Sequence, residues 1–153
     1  MNVGDIVDDL LGMDHMGQEV RLSQYDGRYL VLYFYPKDNT AGCTAQACSL
    51  RDGYAALQAA GYAVVGVSKD SERSHHSFIA KHNLPFRLIV DVDAALSQHF
   101  GVWKEKSMYG RRYMGVERTT FVIDASTRSI KHVLRGRDIM TAEHARQILL
   151  LPR

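Results

Sequence analysis

The sequence predicts an α/β domain whose mixed sheet is covered by helices on both faces, and three observations carry that prediction. Tyr29 to Tyr35 and Tyr62 to Val67 are apolar, aromatic and β-branched runs without a polar break, the pattern of strands buried on both sides. Helix-forming stretches with cap residues alternate with strand candidates as far as about Phe100. The last third then changes to two strands around a polar turn, which reads as an antiparallel hairpin.

In chain order, Val20 and Leu22 alternate with charges and suggest a small edge strand. The Tyr29 to Tyr35 strand stops at Pro36, which has no N–H to donate to a sheet. After the loop Pro36 to Gly42, the residues Ala45, Ala47, Cys48, Leu50, Tyr54, Leu57 and Ala60 predict one helix of about five turns, ended by Gly61. Asp70-Ser71 offers N-caps for a further helix that runs to about His82 and is closed by Asn83-Leu84-Pro85. Phe86 to Val90 is a short strand, and Asp93 caps a short helix through Phe100. The hairpin joins Thr119 to Ile123 and Ile130 to Leu134 across the turn Asp124 to Ser129, and a last helix covers about Thr141 to Leu150.

Residues 1–153 are expected to form a single domain, because a chain of this length rarely divides into two self-sufficient cores. A formal net charge of +2, from 19 Lys plus Arg against 17 Asp plus Glu, is too small and too dispersed for a phosphate-binding surface, so nucleic acid is not an expected partner. Met1 to Asp9 carries three aspartates and no Lys or Arg, unlike a secretory signal. The longest apolar run falls far short of the roughly 20 residues of a membrane helix, and a soluble cytoplasmic protein is expected.

With only Cys43 and Cys48, a disulfide-stapled scaffold is excluded and the pair points to redox or metal chemistry. Cys43 follows a buried strand and a loop and falls in the first turn of the next helix, where unpaired N–H groups and the helix dipole favour a thiolate. A thiolate there is a nucleophile and a target for peroxide, which oxidises it to a sulfenic acid. Gly42 lets the backbone approach a ligand and Thr40 offers a hydroxyl in the same turn. Cys48 lies five residues on, about 7.5 Å along an intact helix and about 140° round it. The resulting Cα separation of about 8.5 Å exceeds the roughly 7 Å limit of a disulfide, so any bridge requires the helix to unwind locally. Both cysteines read alternatively as small core residues, and zinc is disfavoured because none of the seven histidines stands at ligand spacing from the pair. His75 and His76 are expected on a solvated helix face, and Trp103, Tyr109, Tyr113 and Met114 as core or lid residues.

The stretch Tyr33-Phe34-Tyr35-Pro36-Lys37-Asp38-Asn39-Thr40-Ala41-Gly42-Cys43-Thr44 resembles the active-site loop of the peroxiredoxins, P-x-x-x-T-x-x-C. The C-x-x-x-x-C spacing followed by Arg51-Asp52, the Gly101-Val102-Trp103 segment, and the run from Met108 through Arg118 to Asp124 resemble the bacterioferritin comigratory, or Q-type, branch. The resemblance implies a thioredoxin-like fold, a peroxidatic Cys43, a resolving Cys48 that closes an intramolecular disulfide, and a pocket completed by Thr40, Pro36 and Arg118. It also implies hydroperoxide substrates, thioredoxin or a similar dithiol as reductant, no cofactor, and a monomer. The residue types suit these roles: Arg118 is permanently charged with forked donors, Thr40 offers a hydroxyl, and Pro36 shields the thiolate from water. Gln46, where relatives often have Glu, orients this network. Ala41 replaces a frequent proline, and Val3 to Gly12 departs from the usual N-terminal pattern, which leaves the pairing of the first strands unassigned. Two rival readings remain: a protein disulfide oxidoreductase, disfavoured by the absence of C-x-x-C, and a peroxide-sensing or chaperone-like interaction protein.

Overall fold

The computed structural model describes residues 1–152. In chain order the elements are β1 (Leu10–Met13), β2 (Glu19–Arg21), β3 (Tyr29–Phe34), α1 (Ala41–Asp52), α2 (Tyr54–Ala59), β4 (Tyr62–Ser68) and α3 (Glu72–His82). They continue as β5 (Arg87–Val90), α4 (Ala95–His99), β6 (Trp103–Met108), β7 (Arg111–Val116), β8 (Thr119–Asp124), β9 (Ser129–Arg135) and α5 (His144–Leu149).

The central sheet has the order β5-β4-β3-β8-β9, parallel from β5 to β3 and antiparallel from β3 to β9. The predicted mixed sheet is therefore present, with β3 at its middle. Both faces of β3 are buried: Leu30, Leu32 and Phe34 pack with Phe100 and Phe121, while Val31, Tyr33 and Tyr35 pack with Cys43, Leu50, Phe78 and Ile148. This two-sided burial is why the strand reads as an unbroken apolar run. Gly66 opposite Tyr33 makes room for its ring, since a methyl there would come within 2.9 Å of ring carbons.

Four local expectations are corrected. The single helix expected up to Gly61 is two, α1 and α2, jointed at Gly53, where α5 comes so close that a methyl would lie 2.5 Å from Ala145 Cβ. The first strands are β1 and β2, and Leu22 falls instead in a buried 3-10 turn. Asp91 is the main cap of α4, accepting from the Leu96 and Ser97 N–H groups at 3.0 and 2.9 Å, while Asp93 contributes one bond to Ala95 N–H. Finally β6 and β7 pair as an antiparallel arm from Trp103↔Val116 to Met108↔Arg111. Tyr109 at its turn is 99% exposed, and Tyr113 and Met114 are exposed as well, so none of the three is a core residue. Trp103, half-buried at the base of the arm, lies under Lys69 Nζ at 4.6 Å from the ring centre. Among the described residues no helix is long and apolar enough to cross a membrane.

Candidate active site

The site forms where the chain leaves the middle strand and turns into α1. Thr40 is the N-cap in extended conformation, and the first helical bond runs from Thr44 N–H to the Thr40 carbonyl at 2.8 Å. Ala41, Gly42 and Cys43 are therefore the three residues whose N–H groups have no partner within the helix. Cys43 is 1% exposed, packed against the sheet with Tyr33, Tyr35 and Ala47. The Thr40 hydroxyl donates to the Lys37 carbonyl at 3.0 Å. With that hydrogen engaged, its oxygen can offer a substrate only an acceptor lone pair.

Sheet register carries Arg118 to this point across 75 residues. Thr119, the first residue of β8, lies opposite Phe34 at the end of β3, which sets Arg118 over the start of α1. One guanidinium nitrogen, Nη2, donates to Cys43 Sγ at 3.4 Å, and Nη1 donates to Gln46 Oε1 at 2.5 Å. Gln46 is fully buried one turn beyond Cys43, and its Nε2 has no hydrogen-bond partner. Gly42 permits the approach, because a methyl there would sit 3.2 Å from Arg118 Nη2. Pro36 and Arg118 line the same surface groove with Lys104, Lys106 and Arg137. Burial, and then the positive charge of Arg118, push the Lys106 ammonium below its ordinary value. The contact network thus joins Cys43, Gln46 and Arg118, with Pro36 at the groove and Thr40 at the helix cap.

Asp38 was not singled out from the sequence, yet it fixes the loop that precedes Cys43. Its buried carboxylate accepts from Tyr35 Oη at 2.6 Å, Ser74 Oγ at 2.8 Å and His75 Nδ1 at 2.8 Å. Its own N–H donates to Asp70 Oδ2 at 2.8 Å. His75, expected on a solvated face, is fully buried, and its Nε2 donates to the Ile89 carbonyl at 2.9 Å. The signal for its burial was its three-residue spacing from Phe78, which puts both on the inner face of α3. His76 is exposed as expected. Asp38, Asp70 and His75 are close enough to share a metal ion. Every one of their facing ligand atoms is already engaged in the bonds just given, so the group is explained as a tether between the loop and α3.

Cys48 is half-buried further along α1, and both cysteines are free thiols. Its sulfur turns away from Arg118 toward α3, 3.9 Å from His82 Nδ1.

A thiol sealed at a helix start and touched by a permanent positive charge, inside a thioredoxin-like α/β fold, defines a thiol-dependent peroxidase. Residues 3–133 match the AhpC/TSA family, and the chain belongs to that family. It is 45% identical to the peroxiredoxin Bcp of Bacillus subtilis over 97% of this chain and 93% of the relative. It is 40% identical to peroxiredoxin Bcp of Escherichia coli, over 94% and 90%. Among solved structures it is similar to Xylella fastidiosa PrxQ, with a TM-score of 0.86, 38% identity, and coverage of 97% of this chain and 93% of that one. The bacterioferritin comigratory protein of Xanthomonas campestris matches with a TM-score of 0.81 at 35% identity, covering 95% of each chain. The protein is a peroxiredoxin of the Bcp or Q kind, and its activity is the reduction of hydroperoxides by cysteine thiols.

Proposed function

We propose that Cys43 is the peroxidatic cysteine, Cys48 the resolving cysteine, and Thr40, Pro36 and Arg118 the groups that complete the pocket. The 3.4 Å contact between Arg118 and Cys43 Sγ carries this reading. The Cys43 thiolate attacks one peroxide oxygen, an S–O bond forms and the O–O bond breaks, and the leaving oxygen takes a proton to depart as water or alcohol. Arg118 stabilises the thiolate and the charge that develops on the departing oxygen. Thr40 accepts a hydrogen bond from the hydroperoxide, and Pro36 offers no N–H to compete for the thiolate.

Cys48 then attacks the sulfur of the Cys43 sulfenic acid, the S–O bond breaks, and water and an intramolecular disulfide result. Five residues of intact helix hold the Cα atoms about 8.5 Å apart, so α1 unwinds at its start during this step. A thioredoxin-type dithiol reduces the bridge by exchange and is itself oxidised. Hydrogen peroxide and organic hydroperoxides are the substrates; the alkyl peroxide reduction activity of the Xanthomonas relative supports the second class. Residues 1–153 act as one peroxiredoxin domain, monomeric and cytoplasmic, without nucleic-acid or membrane partners.

The test is NADPH oxidation coupled through thioredoxin reductase and thioredoxin, with hydrogen peroxide or cumene hydroperoxide. The parent chain is expected to turn over many times and Cys48→Ser to consume one equivalent and stop. A parent chain that forms its disulfide but does not turn over would be a sensor, not an enzyme using this reductant. Stopped-flow measurement of the same reaction should show Arg118→Met slower with peroxide by about 10²–10³. A drop under threefold would remove Arg118 from the chemistry.

A further inference from the structure

Resolution makes Cys48 a nucleophile, and the reactive form of a cysteine is its thiolate, whereas a free thiol at neutral pH is only a few per cent ionised. Cys48 lies mid-helix in α1, beyond the reach of the free N–H groups and dipole end that serve Cys43. One basic group meets its sulfur, the His82 ring, with Nδ1 at 3.9 Å.

His82 is held in place from three directions. It is the last residue of α3, which ends at Asn83 in the left-handed conformation with φ of 52°. Its carbonyl accepts from Arg51 Nη1 of α1 at 2.8 Å, and its ring stands edge-on to Phe78 with centroids 5.2 Å apart. The other ring nitrogen, Nε2, is buried without a hydrogen-bond partner. The Cys48 sulfur is therefore the ring's single hydrogen-bond partner among the described residues.

We propose that His82 is the base of the resolving step. While α1 is still folded, Nδ1 takes the Cys48 S–H proton and leaves the electron pair on sulfur. The thiolate then attacks the Cys43 sulfenic sulfur, the S–S bond forms and the S–O bond breaks. The departing hydroxide recovers the proton from the His82 imidazolium through solvent, and one water is the net product. The proposal rests on the roles assigned above to Cys43 and Cys48.

Two titratable or charged groups face this pair. Arg51, on α1, is permanently charged and bonded to Asp52 at 2.9 Å, a bond that holds its guanidinium above the ordinary value. Tyr33, on β3, is buried with an unpartnered hydroxyl, and burial first, then the charges of Cys43 and Asp38, push its phenol well above the ordinary value. It therefore stays neutral while His82 and Cys48 exchange a proton.

The test follows disulfide formation after one equivalent of hydrogen peroxide, by alkylation quench and mass spectrometry, from about pH 5.5 to 9. His82→Phe keeps a ring beside Phe78 but no base, and His82→Gln is the second variant should the first fold poorly. In both, disulfide formation is expected to slow about 10- to 30-fold at pH 7, since a free thiol is about 3% ionised there, with the gap closing as pH passes the ordinary thiol value of about 8.5. The rate of peroxide consumption by Cys43 should stay within twofold of the parent, while inactivation by excess peroxide appears at lower doses, because a longer-lived sulfenic acid is oxidised further. Parent-like resolution, or slowing by the same factor at every pH, would overturn the proposal in favour of a packing role. No disulfide in the parent chain would overturn the cysteine assignment itself, and this inference with it.

Discussion

Cys43→Ser is expected to abolish peroxide turnover entirely, whereas Cys48→Ser retains one round of reduction. Both thiols lie on one helix, so the difference rests on what surrounds each. Cys43 is sealed at the helix start and receives a hydrogen bond from Arg118; Cys48 sits beside a histidine with no permanent charge on its sulfur. A serine hydroxyl at position 43 remains protonated at neutral pH and is a poor nucleophile toward an O–O bond. Cys48 cannot take over the reaction, because Arg118 is bound to Gln46 and aimed at position 43. Turnover of Cys43→Ser is measured as peroxide consumption with dithiothreitol, which bypasses any requirement for thioredoxin recognition; the single round of Cys48→Ser is measured as peroxide consumed per chain with no thiol added, because dithiothreitol reduces a sulfenic acid directly. Turnover above about one hundredth of the parent rate would show that Cys48 is itself peroxidatic and would reverse the two roles.

The second large effect is on stability: Asp38→Ala is expected to lower the unfolding free energy by about 3–5 kcal/mol. The carboxylate is 1% exposed and meets three donors, from Tyr35, Ser74 and His75. Removing it strands all three and leaves the His75 ring facing a void where a counter-charge stood. For a domain whose total stability is about 5–15 kcal/mol, such a loss is a large part of the whole. Urea unfolding of the reduced protein measures it directly, and a loss under about 1 kcal/mol would mean that water replaces the carboxylate without cost.

The same group predicts a direction with pH. Burial pushes the Asp38 carboxyl up, but hydrogen bonds from His75 and Tyr35, the attraction of His75 and the bond from Ser74 more than offset it, leaving it below the ordinary 3.8. The unfolded chain therefore takes up this proton first as pH falls. The contribution of Asp38 is complete above about 3.8 and is lost as pH drops from there through the lower folded value, a limb that Asp38→Ala should lack.

The core strands and the start of α1 were legible because their causes are local. A strand buried on both faces must be apolar throughout, and a cysteine just after a strand, a loop and a glycine must fall in a first turn. Cys43 was legible from its place at the helix start, whereas Arg118 was found only through motif resemblance; their contact depends on β3 pairing with β8, which no local pattern encodes. The joint at Gly53 was missed because its cause is Ala145, far along the chain. Asp38 and His75 were missed for a similar reason: 37 residues separate them, and each alone looks like an ordinary surface residue. The arm of β6 and β7 gave no clear strand signal because its charged and apolar residues face solvent along most of its length.

That joint also sets a boundary on the redox cycle. Ser49 Oγ accepts the Ala145 N–H at 3.2 Å, so the last turn of α1 is fastened to α5 just before the helix breaks at Gly53. In the proposed cycle the start of α1 melts to bring the two sulfurs together, and this fastening is where that melting is expected to stop. The segment from Tyr54 onward, with Leu57 in the core, keeps its fold. On that proposal each turnover melts and rebuilds a short, fenced stretch of chain, and the sheet is spared the repeated exposure of its apolar face that would lead to aggregation.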